Sequence, residues 1–127
     1  MPDKKIKALL VEDDPMILEM YKARMQDEGW EVFSTDRGSE AVELAKKEKP
    51  HIVLLDIILP ETDGFSVLQK LRAETATKNI PVLMLTNLGQ ESDQNRGQEL
   101  GIEGYFIKSQ HTPADVIAKI RGLVSRR

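Results

Sequence analysis

His51-Ile52-Val53-Leu54-Leu55-Asp56 is the stretch on which the fold turns. Four apolar residues run together and stop at a carboxylate. A run this short has the length of a strand rather than a helix. Lacking any apolar–polar alternation, it suits a central parallel strand covered on both faces.

Working outward, further strand-like runs lie at 6–11, 30–34, 81–86 and 104–107. Between them the apolar residues change to helical spacing. Leu18, Tyr21 and Met25 share one face of a first helix, and Ala41, Val42 and Ala45 mark a second. Phe65, Leu68 and Leu71 mark a third, and Val116, Ile117, Ile120 and Val124 a last. A fourth helix, about 91–100, is mostly polar with Gly97 inside it, so it has little face to dock and is expected to be the loosest. Asp14 before Pro15 and Thr112 before Pro113 read as N-caps followed by a first-turn proline. Gly29 and Gly101 fit C-terminal stops. A five-fold strand–helix alternation predicts an α/β domain with a parallel sheet and right-handed crossovers.

Composition narrows the function. The 127 residues suit one domain, predicted to occupy 1–127 with no output domain attached. There is no cysteine, which excludes disulfides, a thiolate zinc site and a cysteine nucleophile. The 18 basic and 21 acidic residues leave a net charge of −3, which does not favour nonspecific nucleic-acid binding. Arg121, Arg126 and Arg127 are better read as cations offsetting a helix dipole. Residues 1–7 are polar, no run approaches the ~20 apolar residues of a membrane span, and a soluble cytoplasmic protein is expected. His51 and His111 lack partners at metal-ligand spacing. No phosphate-binding glycine motif is present.

In parallel sheets of this kind, function gathers beyond the carboxyl ends of the strands. There the first strand runs into Glu12-Asp13-Asp14, the third into Asp56, the fourth ends at Thr86 and the fifth is followed by Lys108. Singly, such residues are caps or solvated charges; four together are far less expected by chance. Converging carboxylates repel one another and call for a cation. Oxygen ligands suit Mg²⁺. A metal and a lysine around an aspartate form a layout for handling phosphate, with the aspartate as nucleophile.

With these residues in view, the sequence resembles the receiver domain of bacterial response regulators over essentially its whole length. The matching segments are Leu-Leu-Val-Glu12-Asp13-Asp14, Val-Leu-Leu-Asp56-Ile-Ile-Leu-Pro60 with Asp63-Gly64, Met-Leu-Thr86, and Tyr105-Phe106-Ile-Lys108. The resemblance implies a flavodoxin-like five-stranded sheet of order 2-1-3-4-5 flanked by five helices. It implies a phosphorelay switch, with Asp56 accepting a phosphoryl group from a histidine kinase or phosphotransfer protein. It implies Mg²⁺ held by Asp13, Asp56 and the Ile58 carbonyl, with Glu12 acting through water. Lys108 and Thr86 are implied contacts of the phosphoryl group. Thr86 and Tyr105 are the implied switch pair, changing how a downstream protein binds the face made by the fourth helix, fifth strand and fifth helix. No separate substrate turnover is expected.

Two positions depart from the family pattern. Ser109 stands where a cis-proline is usual, so a trans Lys108–Ser109 bond and a shifted loop are expected. Asn87 stands where a small residue is usual, crowding phosphate access. Ile58 and Leu88 occupy two positions that tune phosphoryl lifetime, and neither can activate water, so slow autodephosphorylation is expected.

Three rival functions meet different residues here. A flavin binder needs a phosphate cradle where this chain has Glu-Asp-Asp-Pro. An aspartyl phosphatase needs a second acid where this chain has Ile58. A phosphorylation-independent interaction module on the same fold is kept open by Ser109 and Asn87.

Overall fold

The computed structural model describes residues 5–87, 95, 96, 98, 99 and 101–124. Its elements are β1 (Lys7–Val11), α1 (Pro15–Asp27), β2 (Glu31–Thr35), α2 (Gly38–Glu48), β3 (Ile52–Leu55), α3 (Gly64–Ala73), β4 (Val82–Thr86), β5 (Gly104–Ile107) and a C-terminal helix (Pro113–Val124). The five strands form one parallel sheet in the order β2-β1-β3-β4-β5. This is the flavodoxin-like arrangement. Of the five helices expected, four are described in full. The fourth falls largely outside the described residues; Asn95, Arg96, Gln98 and Glu99 within it are helical.

β3 is buried along its whole length and lies between β1 and β4, as its uninterrupted apolar run demands. Its alternate side chains feed two half-cores. Val53 and Leu55 pack with Leu9, Val11 and Met84 against α2 and α3. Ile52 and Leu54 pack with Ala8, Leu10 and Leu85 against α1 and the C-terminal helix. Tyr21 and Met25 bring α1 onto this second side, and Val116, Ile117, Ile120 and Val124 bring the C-terminal helix.

The local punctuation follows from side-chain chemistry. Asp14 caps α1 by accepting from the N–H groups of Met16 (2.9 Å) and Ile17 (3.3 Å), ahead of Pro15. Gly29 follows α1 with φ +88°, a left-handed conformation that suits glycine. Three strands start one residue later than the sequence suggests, β1 opening at Lys7. Trp30 spends its N–H on Met25 C=O, the last turn of α1, so β2 opens at Glu31. Pro81 has no N–H; its C=O accepts from Val53, and β4 opens at Val82.

Two arginine contacts involve α3. Arg72 donates to the C=O of Lys78 (3.1 Å), Ile80 (2.8 Å) and Gly101 (2.7 Å), with Glu103 3.6 Å away. The Arg96 guanidinium lies 4.4 Å from the centre of the buried Phe65 ring. Among the described residues no helix is long and apolar enough to cross a membrane.

Candidate functional site

Burial of polar side chains is selective. Among the described residues the buried polar or charged ones are Glu12, Thr35, Asp56, Thr77 and Thr86. All but Thr77 stand at the carboxyl ends of strands. Main-chain bonds fix them there: Asp56 N–H donates to Val11 C=O (3.0 Å), and Glu12 N–H donates to Thr35 C=O (3.1 Å). The ends of β1, β2 and β3 are thereby tied side by side.

Lys108 enters from the end of β5, its N–H donating to Thr86 C=O at 2.7 Å. Its ammonium stands between two carboxylates, 2.8 Å from Glu12 Oε1 and 3.0 Å from Asp56 Oδ2. Glu12 Oε2 also accepts from Asp14 N–H (3.0 Å), and Asp56 Oδ1 from Ile58 N–H (3.4 Å). These groups line an open cleft of about 410 Å³ with Asp13, Thr86, Asn87 and the exposed Ile58 at its walls and mouth. A carboxylate oxygen each from Glu12, Asp13 and Asp56 lies within 4.8 Å of the others. That is a hard oxygen donor set with one exposed member facing solvent.

Six of the seven residues singled out from sequence therefore line one cleft: Glu12, Asp13, Asp56, Ile58, Thr86 and Lys108. Tyr105 does not. It pairs with Met84 in the sheet and packs, half-buried, against the α2–α3 half-core. The described residues contain no cis peptide bond, so Lys108–Ser109 is trans. Leu88 lies outside the described residues. Sequence reading missed Thr35, whose carbonyl receives Glu12 and whose hydroxyl donates to Glu40 at 2.6 Å. The available signal was its position at the end of a strand beside the first.

Burial dominates the electrostatics. It pushes the Glu12 carboxyl up to about 7, against the hydrogen bonds from Lys108 and Asp14 and with help from the Asp56 charge. Burial alone would lower the Lys108 ammonium; hydrogen bonds and charges from Glu12 and Asp56 outweigh it and raise the pKa. A carboxyl raised on folding holds its proton more tightly in the folded state. Its stabilising contribution is present below the free value of 4.5 and is lost as pH rises through about 7. Without divalent cation, thermal stability is therefore expected to fall between about pH 5 and about pH 7.5 more steeply than in Glu12→Gln. Calorimetry of both proteins in EDTA checks this; parallel profiles count against it.

A buried aspartate and a paired lysine at the carboxyl end of a 2-1-3-4-5 parallel sheet, beside a carboxylate cluster, define a receiver-type site. The chain belongs to the response regulator receiver domain family, whose model matches residues 8–121. It is 37% identical over 123 residues to the DNA-binding dual master transcriptional regulator RpaA of Synechocystis, covering 94% of this chain and 49% of RpaA. The chain thus spans about half the length of the curated relatives it matches. The BeF₃-activated N-terminal receiver domain of RstA from Klebsiella pneumoniae superposes with a TM-score of 0.84 at 32% identity, covering 93% of this chain and 97% of that one. The receiver domain of the sensor histidine kinase PA1611 from Pseudomonas aeruginosa shares the fold, with a TM-score of 0.86 at 24% identity over 96% of this chain and 99% of its own. It carries a magnesium ion in its active-site cleft.

Proposed function

We propose that this receiver domain is a Mg²⁺-dependent phosphoryl switch, with Asp56 as the acceptor. The observation that carries the reading is the Asp56 carboxylate, buried at the end of the central strand yet lining an open cleft, with Lys108 3.0 Å away. A carboxylate oxygen of Asp56 attacks phosphorus. The donor's bond to phosphorus breaks, its electron pair leaves with the donor, and an acyl phosphate remains. In this reading Lys108 neutralises charge on the phosphoryl oxygens and Thr86 hydrogen-bonds them; both residues line the same cleft as Asp56, which supports it.

The residues fit a divalent cation. The clustered carboxylates of Glu12, Asp13 and Asp56 outnumber the one ammonium of Lys108, and Asp14 adds a further carboxylate to the cleft lining, an excess of negative charge that a divalent cation would offset. Asp13 and Asp56 would hold it directly with the Ile58 carbonyl, and Glu12 through water. When bound, the cation supplies charge neutralisation for the incoming phosphoryl oxygens. The donor is read as a histidine kinase or a histidine phosphotransfer protein. The output is a change of affinity for a downstream protein, biased through Thr86 and Tyr105.

Intact mass after incubation with acetyl phosphate, with Mg²⁺ or with EDTA, tests the reading. One added phosphoryl group, seen only with Mg²⁺, is expected. No gain with any donor would favour a phosphorylation-independent interaction module. The exposed apolar Ile58 at the cleft mouth has no group to orient an attacking water. The phosphorylated protein is accordingly expected to lose its phosphoryl group over minutes to hours. Decay within seconds, followed by mass after donor removal, would contradict this.

A further inference from the structure

Among the described residues β5 is an edge strand, paired with β4 alone. Along a parallel strand, successive residues turn their N–H and C=O groups to opposite sides. Lys108 N–H faces β4, where it meets Thr86 C=O. The N–H and C=O of Ile107 therefore face the open edge, where an unpaired group needs a partner.

The loop itself supplies both partners. Gln110 N–H donates to Ile107 C=O at 2.9 Å, closing a turn. His111 then folds back, its Nδ1 3.3 Å from Ile107 N, and in the tautomer protonated on Nε2 it accepts that N–H. The same nitrogen lies 3.3 Å from Ile107 O. The imidazole stands edge-on to Phe106, with ring centroids 5.0 Å apart and planes at 87°. The next residue is fixed as well. Asp115 N–H donates to Thr112 Oγ1 (3.2 Å) and Thr112 N–H to Asp115 Oδ2 (3.0 Å), a reciprocal cap on the C-terminal helix. Only Ser109 and Gln110 separate Lys108 from the histidine. No proline ring stiffens this stretch, so its shape depends on these contacts.

We propose that His111 is a positioning residue for Lys108, its Nδ1 clasping Ile107 so that the loop holds the lysine ammonium between Glu12 and Asp56. The proposal rests on the phosphoryl-acceptor reading, because its effect on chemistry passes through Lys108.

Three variants test it. His111→Phe keeps a ring against Phe106 and loses the nitrogen. His111→Asn places an amide oxygen near the Nδ1 position and loses the ring. His111→Ala loses both. With acetyl phosphate and saturating Mg²⁺, the maximal rate of uptake is expected to fall about tenfold in His111→Phe and His111→Ala, with KM for the donor changed less, and to stay within about twofold of the parent in His111→Asn. Hydrogen exchange at the Ile107 amide, read by NMR without donor, should be fast in the first two variants and slow in the third. A purely packing role would spare His111→Phe and harm His111→Asn, which overturns the proposal. So would parental rates in all three. Should the parent take up no phosphoryl group, the function reading fails and the positioning role falls with it. The exchange pattern then still shows whether the clasp exists.

Discussion

Asp56→Asn is expected to carry no phosphoryl group after exposure to any small donor, with or without Mg²⁺. The amide replaces the nucleophilic carboxylate with a group of the same shape whose nitrogen lone pair is delocalised. Uptake measured by intact mass should fall by at least about a hundredfold. The fold should persist, because the main-chain bond from residue 56 N–H to Val11 C=O is untouched and the single amide oxygen can still accept from Lys108, while the longer bond from Ile58 N–H (3.4 Å) is given up. Removing the Asp56 charge takes away one cause of the raised Glu12 pKa, so Glu12 should ionise at lower pH in the variant. A mass gain equal to the parent's would place the acceptor elsewhere.

Gly64→Ala is expected to destabilise the protein by about 3 kcal/mol, large for a single added methyl group. A Cβ at this position would lie 2.3 Å from Asp56 O and 2.8 Å from Ile57 Cα, both main-chain atoms. No flexible side chain is available to yield. Gly64 N–H also donates to Ile57 C=O at 2.7 Å, and Asp63 caps α3 by accepting from Ser66 N–H at 2.9 Å, so the glycine is held on both sides. The strain must pass into the peptide that carries Asp56. Denaturant unfolding measures the loss, and uptake of the phosphoryl group should fall with it. Gly122→Ala is the control. Its Cβ meets nothing within 4 Å on the C-terminal helix, so stability should hold or rise slightly. Equal effects at the two positions would refute the close approach at Gly64.

Much of this was legible beforehand, for identifiable reasons. β3 and its terminal Asp56 announce themselves because a strand covered on both faces admits no polar residue until it ends. Asp14, Pro15 and Gly29 act through bonds within a few residues, so local chemistry reveals them. What stayed hidden depends on residues distant in sequence. Thr35 matters because β2 lies beside β1, and its carbonyl there receives Glu12. Arg72 gains its role from Gly101, 29 residues away. Trp30 is a local exception: its apolar ring reads as strand, although its N–H closes α1 on Met25. Tyr105, assigned as a switch residue by resemblance alone, packs on the α2–α3 side of the sheet, a placement set by its pairing with Met84.

The cleft's groups are scattered through the chain, and this bears on what a ligand there can report. Asp56 and Lys108 touch across 52 residues of sequence, and they do so because β4 lies between β3 and β5. Glu12 reaches them from β1, itself braced by β2. A fragment lacking any strand retains no such constellation, since the entropy of gathering these groups is met by the sheet as a whole. A cation that needs all of them binds the folded chain and not the unfolded one, and it stabilises by an amount set by its concentration relative to its dissociation constant. Its affinity is therefore a gauge of the entire sheet, edge to edge, and mutations far from the cleft that loosen any strand should register there as weakened binding.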